Sequence, residues 1–293
     1  MNYSGKKVVI VGGSGFVGTC LARELLALGA RVIIVDPKQS SLAGVEYLQS
    51  DLSYVPSFEA LQRPFVVFNL AGVPIFGRWT SEYKKAIRSS RVDITSKLSV
   101  KFSDPMFAPE CFVSTSAIGI FGDRGDEVLD EGSQTRQDTY LAQVSSDWED
   151  AARKAEAFGV RVRIVRNAHV LGRGGILSVL RGIFRWGIGG TLSSGDQYMS
   201  FVSIDECVRT YLEAPFSDRQ VVHAVSVAPV TNREFSRTLA RVMYRPCLFR
   251  IPMFAMRMLY GEFASEIVTS QRVVSLYRSG DERLEEVLRA SLR

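Results

Sequence analysis

Disulfide and metal chemistry have little material to work with in this chain. Among 293 residues there are four cysteines, Cys20, Cys111, Cys207 and Cys247, and two histidines, His169 and His223. The cysteines are far apart, and neither histidine has a second ligand beside it, so no paired-thiol or zinc motif forms and no metal is expected. Three of the thiols fall in apolar-periodic or strand-like context, the setting of reduced, buried cysteine in a cytosol-like compartment.

Membrane-spanning runs are missing too. The most apolar later stretch, Gly174 to Gly190, is interrupted by Arg181 and Arg185. The first strand begins almost at once, leaving no space for a leader peptide, so a cytoplasmic protein with no membrane partner is the expectation. Charge of one sign is not concentrated either: the net charge of +5 arises from 36 Lys and Arg dispersed among 31 Asp and Glu, a poor pattern for a nucleic-acid binder. What the chain does have is apolar material, 46%, enough for one large α/β domain or one domain with a smaller lobe.

The most informative stretch is Lys7 to Asp36. Val8 to Val11 has the length of a buried parallel strand and ends in the turn Gly12-x-x-Gly15-x-x-Gly18. Phe16, Val17, Cys20, Leu21, Leu25 and Leu28 then recur at helical spacing, and Gly29 stops the helix before a second apolar run, Val32 to Val35. In such a unit the glycines let the backbone approach a pyrophosphate, and unpaired N–H groups at the helix start face its charge. Gly12, Gly15, Phe16, Val17 and Gly18 are therefore the expected phosphate cradle of a dinucleotide. Asp36 ends the second strand, where a carboxylate accepts both ribose hydroxyls of NAD and repels the extra phosphate of NADP. Lys38 could instead grip that phosphate, so the cofactor is NAD or NADP, with NAD favoured.

Further along, a short strand at Val45 to Leu48 leads to Asp51, placed either to face an adenine or to cap a turn. The run Phe65 to Leu70 ends in Ala71-Gly72, making Leu70, Ala71 and Gly72 a second cofactor segment together with Asn69. A helix from Ser81 to Phe102 buries Tyr83, Ile87, Ile94, Leu98 and Phe102 and leaves Lys84, Lys85, Arg88 and Arg91 mostly to solvent. The strand Cys111 to Thr115 runs into Ser114-Thr115-Ser116-Ala117, hydroxyls at the strand end where open α/β sheets bind substrate. A helix over about Asp138 to Phe158 and a strand Arg161 to Arg166 complete an alternation that predicts a Rossmann-type, doubly wound parallel sheet in residues 1–166.

Beyond Asn167 the composition turns glycine-rich. Residues 167–240 are expected to be shared between the sheet and a substrate lobe, and 241–293 to form a small C-terminal domain. Asp205 or Ser203 caps one helix of this part; Thr231, with Glu234, caps another. Met253, Met256 and Met258 beside Phe254, Leu259 and Tyr260 suit a pocket or a subunit contact, including that of a homodimer, but read first as core packing.

Several segments together resemble the extended short-chain dehydrogenase/reductase superfamily, in its atypical NAD-dependent epimerase/dehydratase-like branch with a small C-terminal domain of unknown function. They are GGSGFVG at 12–18, NLAGVPIFGRW at 69–79, SSRVDIT at 89–95, STSAIGIFG at 114–122, DWEDAA at 147–152, VLGRGGIL at 170–177 and GEFASEIVTSQRV at 261–273. The resemblance is collinear over nearly the whole chain. It implies a Rossmann domain binding NAD or NADP, a cleft facing the C-terminal lobe, and hydride movement to or from the nicotinamide on an unknown small-molecule substrate. It also implies that Ser116, or its neighbour Ser114, polarises substrate, and that Arg78 and Trp79 are either cleft residues or loop packing.

One departure concerns the base. Ordinary members of the superfamily carry Tyr and Lys at i and i+4 on one helix face. Here Tyr140 is followed by Val144, and the adjacent register pairs Leu141 with Ser145. An unassisted phenol with a pKa of about 10 is ionised in roughly one molecule per thousand at neutral pH, so Tyr140 reads as part of a packing stripe with Val144 and Trp148. The acid/base group is left to water, Tyr140 or a carboxylate such as Glu149, itself expected on the helix surface. The branch resembles this lysine-free pattern, but it usually ends the second strand with a basic residue where Asp36 stands and carries a histidine where Ser203 stands. The rival function is a non-catalytic dinucleotide-sensing regulatory protein, favoured by the missing lysine and opposed by the retained serines.

Overall fold

The computed structural model describes residues 1–52, 61–277 and 281–292. Seven strands form the central sheet: β1 (Lys7–Val11), β2 (Arg31–Asp36), β3 (Glu46–Gln49), β4 (Val66–Asn69), β5 (Cys111–Ala117), β6 (Arg161–Asn167) and β7 (Val221–Ala224). Their spatial order is β7-β6-β5-β4-β1-β2-β3, and every neighbouring pair is parallel. The order reverses between β1 and β4, which opens a crevice at the carboxyl ends of those strands.

Helices cover both faces, which is why the strands are continuous apolar runs rather than alternating ones. On one face α1 (Phe16–Ala27) lies over Val8, Ile10, Val32 and Ile34. On the other, Val9, Val11, Ile33 and Val35 meet the side of the sheet where Leu98, Phe102 and Ala152 pack. Each fully buried side chain of this size contributes about 1.5–3 kcal/mol. β5 obeys the same alternation: Cys111 and Val113 face the first layer, Phe112 the second.

The long helix expected over Ser81 to Phe102 is two α-helices, α2 (Ser81–Arg88) and α3 (Ile94–Lys101), joined by a π-helical turn at Ser89–Asp93. The extra residue of that turn swings Arg91 out of the solvated face. Its guanidinium donates to Ile87 O at 3.1 Å and Val73 O at 3.0 Å and lies 5.5 Å from the Trp148 ring. Burial lowers its pKa to about 10.

Next in the chain come α4 (Tyr140–Arg153), α5 (Gly175–Arg185) and α6 (Ile204–Glu213), the last packed beside α1. Ser203, not Asp205, caps α6, its Oγ accepting the Glu206 N–H at 3.2 Å. A second sheet pairs Tyr198–Ser203 with His169–Leu171 and Val227–Thr231. Against it lie α5, α7 (Asn232–Val242) and, near the end, α10 (Leu284–Leu292), through Leu177, Phe201, Phe235, Leu239 and Leu288. Thr231 caps α7, accepting the Glu234 N–H at 3.2 Å. Between them, α8 (Met253–Tyr260) and α9 (Phe263–Ile267) turn back toward α2 and α4. No helix among the described residues is long and apolar enough to cross a membrane.

Candidate functional site

The glycine turn after β1 and the segment after β4 are built against each other. Gly12 has φ +79°, and a Cβ there would stand 2.7 Å from the backbone of Leu70 and Ala71. At Gly18 a Cβ would stand 2.7 Å from Gly12 O, so α1 is pressed directly onto the turn. Gly15 is the N-cap of α1 and supplies no side-chain cap. The first turn of α1 thus presents its N–H groups, with the positive end of the helix dipole, to the crevice. Phe16 and Val17 contribute only backbone there. The Phe16 ring is seated where side chains at Gly172 and Gly174 would clash with it, at 2.5 and 2.6 Å, and Val17 packs into the core. The glycines of VLGRGGIL are therefore a seat for Phe16.

Asp36 is 8% exposed and works as a clamp. Its Oδ2 accepts the Ser14 N–H at 3.1 Å, its Oδ1 accepts the Lys38 N–H at 2.8 Å, and the Tyr47 hydroxyl donates to its carbonyl at 2.8 Å. A carboxylate has about four acceptor positions, so two remain for a ligand. The Lys38 side chain is exposed, while its carbonyl accepts from Ser14 Oγ at 2.7 Å; Asp51 is exposed.

Asn69 is fully buried and fixes the second segment. Its Nδ2 donates to Thr95 Oγ1 at 2.7 Å and its Oδ1 accepts the Ala71 N–H at 3.3 Å, while Trp148 Nε1 also donates to Thr95 Oγ1, at 2.8 Å. Gly72 is exposed, and a Cβ on it would come within 3.1 Å of the Arg91 guanidinium. Arg91, Thr95 and Trp148 thus support the crevice without having been singled out from residue type. The signal was the segment SSRVDIT, which holds two of them.

The serines go elsewhere. Ser114 and Ser116 share the face of β5 that carries Phe112, and both are 1% exposed. Ser116 Oγ donates to Glu149 Oε1 at 2.8 Å. Glu149, expected on the helix surface, is 2% exposed and takes Arg166 in a two-pronged pair at 2.7 and 3.0 Å, with Arg153 at 2.9 Å. Burial pushes the Glu149 carboxyl up, but Arg166, Ser116 and Arg153 together hold it below the usual carboxylate value. The hydroxyl expected to polarise substrate is therefore part of a buried ionic network. Ser114 makes only a 3.4 Å contact, to Thr115 O, and the Thr115 hydroxyl on the opposite face is hydrogen-bonded to the Tyr211 hydroxyl at 2.6 Å.

Tyr140 is half-buried, and its hydroxyl donates to Lys84 O at 2.5 Å. Burial raises its pKa against the lowering by Lys84, Arg88 and Arg91, so the phenol stays protonated. Its ring meets Trp79 edge-on at 5.4 Å, and Val144 belongs to the same cluster.

One lip of the crevice is assembled from two distant motifs. Trp79, 6% exposed, stacks on Phe263 at 5.0 Å; its backbone N–H donates to Tyr260 O at 3.3 Å and its indole Nε1 to Ile75 O at 2.9 Å, and Phe76 meets Tyr260 at 5.2 Å. Trp79 is thus loop packing; Arg78 beside it is half-buried. Glu266, from the same C-terminal segment, accepts the Leu141 N–H at 3.2 Å at the start of α4, with its pKa raised by burial. Among the described residues no group of His, Cys, Asp and Glu could hold a metal ion.

Comparison with known proteins adds to this geometry. The model of the NAD dependent epimerase/dehydratase family matches residues 8–223. An epimerase family protein of Mycobacterium bovis is 34% identical over 282 residues, 93% of this chain and 92% of its own. The chloroplastic homolog of epimerase family protein SDR39U1 in Arabidopsis thaliana is 33% identical over 91% of this chain and 79% of its own. Among solved structures, human epimerase family protein SDR39U1 (isoform 2) with NADPH superposes at a TM-score of 0.83 and 25% identity, covering 97% of this chain and 98% of that one.

Proposed function

The chain belongs to the NAD dependent epimerase/dehydratase family, and on that premise we propose that it is an NAD(P)-dependent oxidoreductase or epimerase acting on a small molecule at the carboxyl edge of its sheet. The observation that carries this reading is the interlock of Gly12 with Leu70 and Ala71 beneath an uncapped helix start, because it leaves backbone amides and no side chains where a diphosphate would lie. The human relative was solved with NADPH, which supports the same site. Gly12, Gly15, Phe16, Val17 and Gly18 would hold the diphosphate. Asp36, near Lys38, would take a ribose, Asp51 the adenine side, and Leu70 to Gly72 the floor. When bound, the nicotinamide supplies hydride acceptance and return.

Asp36 favours NAD, since its charge stands where NADP carries an extra phosphate. The test is fluorescence titration of NADH and NADPH. NADH should bind more tightly, and Asp36→Asn should narrow the gap by about tenfold, the worth of one charge-assisted contact. Tighter NADPH binding by the unaltered chain would remove the Asp36 argument, and no binding of either at millimolar concentration would remove the function.

A second reading, dinucleotide sensing without turnover, is favoured by one observation: Ser116 is committed to Glu149 and Tyr140 to Lys84 O. Consumption of NADH with carbonyl metabolite pools separates the two. Within the leading reading, residues 1–166 are the cofactor domain and 241–293 the small C-terminal domain, with the part beyond 167 selecting substrate. The compartment is the cytoplasm, consistent with four unpaired thiols.

A further inference from the structure

Two long stretches of the chain contain no acid. Residues 157–195 carry six arginines and residues 235–261 carry five, with no Asp or Glu in either. The fold joins them. Phe249–Ile251 pairs in parallel with Gly190–Leu192, Arg245 Nε donates to Arg185 O at 3.0 Å, and Pro246 lies 3.8 Å from where a side chain at Gly187 would begin. α8 follows directly, after Pro252.

The ridge so formed is apolar at its crest. Trp186 is 80% exposed, Tyr244 81% and Leu248 83%, and on α8 Phe254 and Met258 are 72% and 69% exposed. In the methionine-rich segment read as core packing, Met256 is buried and Tyr260 packs on Phe76 and Phe263, whereas Phe254, Met258 and Leu259 turn outward. Exposed Arg185, Arg245, Arg250 and Arg257 stand among them. Soluble surfaces seldom gather apolar side chains this densely without a partner.

The chemistry selects the occupant. A second copy applying the same face would set arginine against arginine, which opposes a symmetric dimer there. Trp186, Tyr244 and Phe254 offer rings to a nucleobase, but the exposed aliphatic side chains of Ile188, Leu248 and Met258 among them have nothing to do in a nucleic-acid groove and favour an apolar medium. A bilayer surface with anionic headgroups satisfies both features: tryptophan, tyrosine and phenylalanine enter the interface, and guanidinium groups meet lipid phosphates. We propose that this ridge docks the protein peripherally onto anionic phospholipid membranes. The proposal does not depend on the function given above.

The test is co-sedimentation of the full chain with phosphatidylcholine vesicles, with and without phosphatidylglycerol. Binding is expected on the anionic vesicles, weaker by about tenfold or more on neutral ones, and falling with salt. Trp79 and Trp148 are 6% and 4% exposed, so a blue shift of intrinsic fluorescence on binding would report Trp186. Leu248→Ser and the pair Arg250→Glu with Arg257→Glu, all at exposed positions, should abolish sedimentation while leaving the melting temperature and NADH binding unchanged. No sedimentation with anionic vesicles overturns the proposal, as does sedimentation that these variants leave intact. Two other results overturn it in favour of another occupant: a solution dimer broken by Leu248→Ser without vesicle binding, or retention of single-stranded RNA under conditions where vesicles are not bound.

Discussion

The glycine turn after β1 and the serine run at the end of β5 both lie at the carboxyl end of one parallel sheet, and residue type marks both as site. They behave differently. At the turn the working groups are backbone, and Gly12 and Gly18 are required because any Cβ would strike main chain at 2.7 Å. At the serine run the working groups are side chains, and a strand sends alternate ones to opposite faces. Ser116 points to Glu149 under α4, and no local pattern tells which face that will be. A glycine signature is read from what the chain cannot accommodate, whereas a serine signature needs to know its neighbours.

The sharpest way to break this contrast is Arg166→Met. It leaves Glu149 buried with Ser116 and Arg153 alone, and a loss of about 3–5 kcal/mol in denaturant unfolding is expected. A loss below about 1 kcal/mol would mean that the network beneath the serines is not structural. Gly12→Val tests the other region. Strain at φ +79° should cost roughly 1–3 kcal/mol and abolish NADH binding. Retained binding would show that the turn is not the cradle.

Ser116→Ala compares the regions directly. Loss of one charge-assisted hydrogen bond should lower stability by about 1.5–3 kcal/mol while NADH affinity is unchanged. A variant of full stability and no turnover would return Ser116 to catalysis.

Acid offers a graded version of the same comparison. His223 is fully buried, with Nδ1 donating to Val274 O at 2.9 Å and Nε2 unpartnered. Burial lowers its pKa, although Glu131 Oε2 lies 3.9 Å away and opposes the shift. The unfolded chain therefore binds the proton first. This stability is present above about pH 6.5 and is lost as pH falls through the lower folded value. Glu149, held below its unfolded value near 4.3, contributes stability that is lost at still lower pH. Unfolding curves from about pH 7.5 to 2 should show both phases, and His223→Asn should flatten the first while the glycine turn's contribution stays constant.

Much of the fold was legible. Continuous apolar runs separated by amphipathic helices can only be covered strands, so the parallel sheet and its glycine turn follow from pattern. The π turn at Ser89–Asp93 was not legible, because one helical stripe reads alike with or without an extra residue. Its consequence, Arg91 beside Gly72, was hidden with it. Glu149 looked like a surface residue because the Arg166 that neutralises it lies outside its helix, on strand β6. The glycines of VLGRGGIL read as the start of a glycine-rich substrate lobe, and their close packing on the Phe16 ring appears only in three dimensions.

By itself, then, the sequence determined the order of the elements, the bare glycine turn at Gly12, Gly15 and Gly18, and the negative charge at Asp36. These depend on spacing and backbone geometry within a few dozen residues. Only the tertiary structure decided which hydroxyls face the crevice, that Ser116 and Tyr140 are already engaged, and that α8 shows its apolar side to solvent. Side-chain direction and burial are set by partners far off in the chain, and no local periodicity carries that information.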